Sequence, residues 1–283
     1  IISQKNLIIK NLQLKKTNVI GQESEPILDN IINALDDKNG GFKGTPKFPT
    51  LHVFETLMYF YNKTKNYKYL KPVELILKKL CSKGIYDHVE GGISRYAIDE
   101  NWLIPHFEKM LYDNVQFILL LAKFLKVKSD KYFLKKIKQT TNFLLKDFIS
   151  KESNLLGSAF DADSDGVEGK YYVYHYDELK NIKDVKKYFD IKPEGNWEGK
   201  IILDETNEPS EEVIKQLKKI REKRKKPFFD NKTQLDLNCL WISSLISLNS
   251  LMPDGEYLKK AENFFEKVEK KFLKKNIYHS YSE

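Results

Sequence analysis

Asn66-Tyr67-Lys68-Tyr69-Leu70, Ser129-Asp130-Lys131-Tyr132-Phe133 and Asp254-Gly255-Glu256-Tyr257-Leu258 decide how this chain reads. Each is a polar turn followed by a tyrosine that opens a stretch with apolar residues at helical spacing. A turn between two such stretches is a helical hairpin. Tyr69, Tyr132 and Tyr257 lie 63 and 125 residues apart, and the second interval is close to twice the first. The unit therefore recurs, with one copy displaced by an insert at about residues 161–230. A hairpin cannot bury its apolar face alone, so repeated hairpins must stack. Units this long suit an α/α toroid better than a short-repeat solenoid. The expected class is all-α, a partial (α/α)6 toroid of stacked helical hairpins with a small β-containing insert.

The stripes support this count. Leu51, Phe54, Leu57 and Met58 form one, Val73, Ile76, Leu77 and Leu80 the next, and Phe107, Met110, Leu111, Val115, Ile118 and Ala122 another. A first stripe, from Ile27 to Leu35, stops at Asn39-Gly40-Gly41, a helix stop signal. The chain leaving each hairpin is also similar: Gly84-Ile85-Tyr86-Asp87-His88, Gly157-Ser158-Ala159-Phe160-Asp161 and Ile277-Tyr278-His279-Ser280. Equivalent exits in a stack fall at one end, so His88, Asp161 and His279 are expected to line one mouth. Within the insert, Lys170-Tyr171-Tyr172-Val173-Tyr174 and Lys200-Ile201-Ile202-Leu203 are β-prone and predict short strands of a lid or flap. Residues 1–25 are polar and lack a clear period, and read as a connector.

The 283 residues are 41% hydrophobic, enough for a sizeable core, which excludes wholesale disorder. The net charge of +8 is local: residues 215–226 hold eight basic side chains against one acid. That segment reads as a solvated amphipathic helix, and with only three arginines in the chain (Arg95, Arg221, Arg224) a nucleic-acid partner is not expected. Cys81 and Cys239 fit buried helical positions, with no metal-binding spacing, which points to a reducing, cytoplasmic compartment. The longest uncharged stretch is broken by serines and asparagines, so no membrane partner is expected either.

Chemistry-bearing residues concentrate between Tyr86 and Asn114. His88 and His106 are candidate acid/base groups near neutral pH. Pro105 suits a first helical turn, which would put His106 and Glu108 at a helix start. Arg95 and Asp87 are candidate substrate-positioning groups, and Tyr96 and Trp102 are candidate platforms for a sugar ring. Lys47, in the rigid Pro46-Lys47-Phe48-Pro49 loop, is a minor candidate for an anion contact. Asp161-Ala162-Asp163-Ser164-Asp165-Gly166 matches the start of a calcium loop, but the residue at position 12 is Tyr172 rather than Glu. Asp161 and Asp163, alternate residues of an extended segment, are read instead as a candidate catalytic carboxylate pair. Ca2+ at Asp161, Asp163 and Asp165 is the only cofactor these residues suggest, and no other metal site is expected.

Gly40-Gly41-Phe42 with Pro46-Lys47-Phe48-Pro49, Gly91-Gly92 with Arg95-Tyr96, Pro105-His106-Phe107-Glu108-Lys109-Met110-Leu111-Tyr112-Asp113-Asn114, and Asp161-Ala162-Asp163-Ser164 with Glu168-Gly169-Lys170-Tyr171-Tyr172 together resemble the thioredoxin-domain-containing, spermatogenesis-associated protein 20-like family. The resemblance runs from about residue 40 to 238. It implies a six-hairpin glycosidase-like toroid behind an N-terminal thioredoxin-like domain. Residues 1–25 would then be the linker or tail of that absent domain, residues 26–283 an incomplete toroid, and the thioredoxin-like domain a partner. Leu237 stands before Asn238 where the family pattern has a Trp. The implied function is a carbohydrate-binding, catalytic domain using His/carboxylate acid-base chemistry, with isomerisation or epimerisation ranked just above hydrolysis. The alternative is a non-catalytic ligand- or client-binding domain serving the thioredoxin-like partner.

Overall fold

Polar residues in the repeated turns start the second helix of each hairpin. The computed structural model describes residues 24–281. The chain divides into two units, Ile1–Asn33 and Ala34–Glu283. Helix α1 (Ser24–Ala34) is the described part of the first, and its last residue opens the second. The connector expected at residues 1–25 lies almost wholly outside the described residues.

In the second unit, α2 (Leu51–Thr64) and α3 (Tyr67–Ser82) form the first hairpin, and α4 (Leu111–Leu125) and α5 (Lys131–Asp147) the second. The Asn66 side chain accepts the Lys68 N–H, and Asp130 accepts those of Tyr132 and Phe133. Each such cap satisfies orphan donors of the helix and contributes about 1 kcal/mol. The insert carries three helices: α6 (Tyr176–Leu179), α7 (Val185–Tyr188) and α8 (Glu211–Arg221). The third hairpin pairs α9 (Leu235–Leu251) with α10 (Glu256–Phe272), and the Asp254 carboxylate accepts the Glu256 N–H at its turn. Helix α4 packs between α2 and α9, while α3, α5 and α10 back their own partners. Position in this wall explains the burial of nearly all of α4: Val115, Ile118 and Ala122 have no exposed surface. At about 1.5–3 kcal/mol per buried large aliphatic side chain, these stripes are the main stabilising element.

Hairpin exits and inner-helix starts meet at one end, as the repeat predicts. Strand β1 (Lys109–Met110) leads into α4 and pairs antiparallel with β2 (Ala159–Phe160), the exit of the second hairpin. Strand β2 also pairs with β5 (Phe229–Asp230), and β6 (Thr233–Gln234), leading into α9, pairs with β7 (Ser280–Tyr281), the exit of the third. Between them β3 (Asp163–Ser164) and β4 (Val167–Glu168) form a hairpin. Two asparagines fasten exits to helices. Asn114 accepts the Ile93 N–H at 2.7 Å and donates to the Ile93 carbonyl at 3.0 Å. Asn238 does the same to Leu156, at 2.9 and 3.0 Å.

Four local expectations are corrected. Residues 105–110 are extended rather than helical, because the His106 N–H bonds the Tyr96 carbonyl and Lys109–Met110 join a sheet; helix α4 starts at Leu111. Cys81 is buried but Cys239 is exposed, since it lies with Ser243 and Ile246 on the α9 face turned from its neighbours. The first helix ends at Ala34, and Leu35 bridges back to Phe42. Finally, the two strands expected in the insert shrink to isolated bridges, Tyr174 to Ile201 and Trp197 to Lys200. The insert is a packed layer rather than a flap: Tyr174, Leu179, Phe189, Ile201, Val213 and Leu217 share one apolar cluster.

Candidate functional site

Alternation along residues 105–110 sorts the chemistry-bearing residues into two populations. Phe107 and Lys109 point inward and are buried, while His106 and Glu108 point the other way and are part-exposed. The β1–β2 pairing ends at Lys109–Phe160, and beyond it the Asp161 N–H bonds the Phe228 carbonyl and the Ala162 N–H bonds Asp161 Oδ1. Phe107 and Ala162 share one buried cluster. Asp161 and Asp163 are both exposed.

On this outer face, Arg95 Nη1 donates to Glu108 Oε2 at 3.0 Å, and the Arg95 side chain keeps 42% of its surface exposed. The Tyr96 ring stacks on His106 with centroids 4.8 Å apart, and the Phe48 ring lies 4.8 Å from that of Tyr96. His106 Nδ1 is 3.0 Å from Glu168 Oε1, and Glu168 is the cross-strand partner of Asp163. The structure thus brings together Arg95 with Glu108, Tyr96 with His106, and, through Glu168, Asp163 with His106; Asp161 adjoins Asp163 along the chain. An aromatic face bordered by carboxylates and one guanidinium suits a polyol or sugar: apolar ring faces stack, and hydroxyls meet hydrogen-bonding groups.

Three other candidates lie inward. His88 is at the predicted end but buried: its Nδ1 is 2.9 Å from Glu205 Oε2, and its Nε2 is 3.2 Å from the Lys83 carbonyl. Burial, with the Lys136 ammonium beside it, holds the imidazole below the usual histidine range. Asp87 accepts from Lys109 Nζ at 2.7 Å and from Arg221 Nη1 at 2.6 Å. Burial would raise its pKa, but these two cations hold it well below the ordinary carboxylate range. Trp102 is 0% exposed and donates from Nε1 to the Asn39 carbonyl at 2.9 Å. A Cβ on Gly41 would stand 2.6 Å from its ring, so only glycine fits there. Asp87, His88 and Trp102 thus tie the mouth loop to the core rather than facing its opening. Lys47 is likewise consumed, in a 2.7 Å buried pair with Asp36.

The Asp-rich stretch forms a β-hairpin. Asp165 and Gly166 take φ of 52° and 72° at its tip, the geometry that Asp-Gly supplies in tight hairpins. The Asp165 carboxylate pairs with Lys170 at 3.0 Å and with Lys225 at 3.5 Å. No three His, Cys, Asp or Glu side chains come together as a metal-ligand set among the described residues.

Two features escape a reading of the sequence. The first is that two of the scarce arginines are structural: Arg221, in the basic helix, is buried against Asp87, and Arg224 donates twice to Glu178 at 2.8 Å. The second is Asp113. It is 8% exposed, and its Oδ2 has no hydrogen-bond partner. Burial raises its carboxyl to about 8, against the Arg95 charge and with help from Glu108. Its signal in the sequence is faint: the third residues of α2, α4 and α9 are Val53, Asp113 and Leu237, and only the middle one is polar.

These elements define the protein class as an (α/α)6-toroid fold of the six-hairpin glycosidase-like kind. Among solved structures, D-mannose isomerase superposes with a TM-score of 0.58 at 13% identity, covering 93% of this chain and 58% of that one. A family 76 glycoside hydrolase from a bovine Bacteroides thetaiotaomicron strain gives 0.56 at 13% identity, covering 90% and 45%. No family model matches the chain. In sequence it is similar to human spermatogenesis-associated protein 20, at 32% identity over 52% of this chain and 20% of that protein. It is also similar to an uncharacterised Caenorhabditis elegans protein, at 27% identity over 95% of this chain. The chain spans less than half the length of these curated relatives, 44% of the nematode protein. No described helix is long and apolar enough to cross a membrane.

Proposed function

We propose that this domain binds a carbohydrate at the rim formed by Arg95, Tyr96, His106, Glu108, Asp161 and Asp163, and acts on it by acid-base chemistry. The observation that carries the reading is the Tyr96–His106 stack beside the Arg95–Glu108 pair, with His106 joined to Glu168, the cross-strand partner of Asp163. The exposed Phe48 ring beside Tyr96 offers an apolar surface, Arg95 and Glu108 orient hydroxyl or carboxyl groups, and the carboxylates supply charge where a sugar carbon becomes electron-poor. Sugar-processing neighbours of the same fold agree in kind, although fold alone does not assign a reaction. Ranking isomerisation over hydrolysis depends on two histidines, and burial removes His88 from the rim. Four surface carboxylates, Glu108, Asp161, Asp163 and Glu168, favour hydrolysis. The setting is a cytoplasmic protein in which a thioredoxin-like domain precedes this one; two unpaired cysteines fit a reducing compartment.

A second reading, a non-catalytic domain presenting ligands or clients to that partner, draws on the mutual pairing of Arg95 with Glu108 and of His106 with Glu168. A thermal-shift screen with mono- and disaccharides and sugar acids separates the two. A saccharide should raise the melting temperature of the wild type and not of Tyr96→Ala or Arg95→Ala. Lack of any saccharide shift, or equal shifts in the variants, overturns the rim as a sugar site.

A further inference from the structure

We propose that the cleft between α5 and α8 binds a small organic phosphate. Lys138, Lys215 and Lys218 would hold the phosphoryl group, and Val89 and Ile214 a ring or other apolar portion. The site is separate from the rim and stands on different observations. The cleft has a volume of about 440 Å³, inside the range of about 300–1,000 Å³ usual for small-molecule sites. One face of each helix lines it: Lys138, Gln139 and Asn142 from α5, and Ile214, Lys215 and Lys218 from α8. Residues three and four apart share a helix face. Ion pairs cross the gap at both ends, Lys135 to Glu208 at 2.8 Å and Lys226 to Asp147 at 2.7 Å. These pairs tie the start of α5 to the start of α8 and the end of one to the end of the other. The mouth loop adds Val89 to the lining, and Gln139 Nε2 fixes that loop to α5 by donating to the His88 carbonyl at 3.1 Å.

Charge decides the ligand class. Of the basic residues at 215–226, Arg221, Arg224, Lys225 and Lys226 have carboxylate partners. Lys215 and Lys218 have none among the described residues, nor has Lys138 across the cleft, and all three line it. Lys138 and Lys215 are exposed and Lys218 half-buried, so each can reach a ligand. The other charges on the lining largely cancel. Lys135 is paired with Glu208 and Lys136 with Glu205, which leaves Glu211 as the one unpaired carboxylate there among the described residues. Three ammonium groups around one small cleft repel one another, and a bound dianion relieves that repulsion. A phosphate monoester carries about −1.5 to −2 charges at neutral pH. Lysine meets it as a point charge, whereas a planar carboxylate is matched by the arginine fork, and no arginine lines the cleft among the described residues. Ile214 is half-buried beside Val89 and offers apolar contact that an inorganic ion cannot use. An organic phosphate therefore suits the cleft better than free phosphate.

Calorimetric titration of the protein at low salt with AMP, phenyl phosphate, inorganic phosphate and adenosine tests the site. AMP and phenyl phosphate should bind more tightly than inorganic phosphate, adenosine should bind far more weakly than AMP, and added salt should weaken the binding. Lys215→Gln/Lys218→Gln should lower the affinity for both organic phosphates about tenfold, the effect of two partly exposed charge contacts. Neither lysine holds an ion pair in the fold, so the melting temperature of that variant should match the wild type. Lys219→Gln/Lys223→Gln removes two charges from the same segment outside the cleft and should bind as the wild type does. A preference for AMP over phenyl phosphate supports the site as one for nucleotides, and equal affinities support it as one for phosphorylated ring compounds in general. Absence of binding by both organic phosphates overturns the proposal. So does inorganic phosphate binding as tightly as AMP, or an equal loss in the two double variants, since either reduces the effect to diffuse attraction by surface charge. None of these outcomes bears on saccharide binding at the rim.

Discussion

Lys109 and Arg221 are two cations with almost no access to water, and one carboxylate, Asp87, answers both at 2.7 and 2.6 Å. Removing it leaves two buried cations with only Glu90, 3.7 Å from Arg221, to answer them, a loss of about 3–5 kcal/mol. Asp87→Ala should lower the urea midpoint accordingly, and a change under about 1 kcal/mol would show that the pair is not structural. Trp102→Ala opens a cavity and frees the Asn39 carbonyl, at a cost of about 3–5 kcal/mol in the same measurement. At this scale the sequence is only half legible. Composition gathers Asp87, His88, Arg95, Tyr96, Trp102, His106 and Glu108 into one stretch, and the structure does place them at one end. Which of them face water depends on whether residues 105–110 are helix or strand. Proline before an apolar periodic run suggests a helix start, and sheet pairing with residues 159–160 overrides it. Long-range pairing of that kind leaves no local mark.

At the scale of elements, the hairpins are readable because turn, cap and stripe agree within each. The fasteners are not. Asn114 and Asn238 each sit fourth in an inner helix and bond both backbone groups of a residue in the preceding exit. Their equivalence emerges only when the helix starts are known. Replacing either with Ala strands two buried backbone groups, and each change should cost about 2 kcal/mol in equilibrium unfolding. The insert is fastened by charge. Glu205 lies 2.9 Å from His88 and 2.7 Å from Lys136, and its backbone N–H bonds the Ser82 carbonyl. Burial would raise the Glu205 carboxyl, but the His88 hydrogen bond and the Lys136 charge bring it down to about 2. A carboxyl depressed in the fold stabilises it above its unfolded value of about 4.5, and that contribution disappears as pH falls towards 2. The loss is about 3 kcal/mol. Glu205→Gln should therefore flatten the acid limb of the stability curve and make residues 206–226 easier to cleave by protease at pH 7. An unchanged acid limb would remove Glu205 as the latch.

For the molecule as a whole, the decisive relation is between far-separated segments. Residues 95–97, 105–110, 159–163, 228–234 and 279–281 converge because each follows or precedes an equivalent helix of a stacked hairpin. Repeat spacing alone makes that convergence legible. The buried network beneath it has no such signature, because its members are far apart along the chain, 134 residues in the case of Asp87 and Arg221. The outer face of this end is where a ligand should bind. Nuclear magnetic resonance titration of the labelled protein with the saccharide from the screen tests it most directly. Perturbed signals should cluster at Arg95, Tyr96, His106, Glu108, Asp161 and Asp163 and move with one affinity. Perturbations confined to another surface, such as the cleft of about 440 Å³ between α5 and α8, would contradict it.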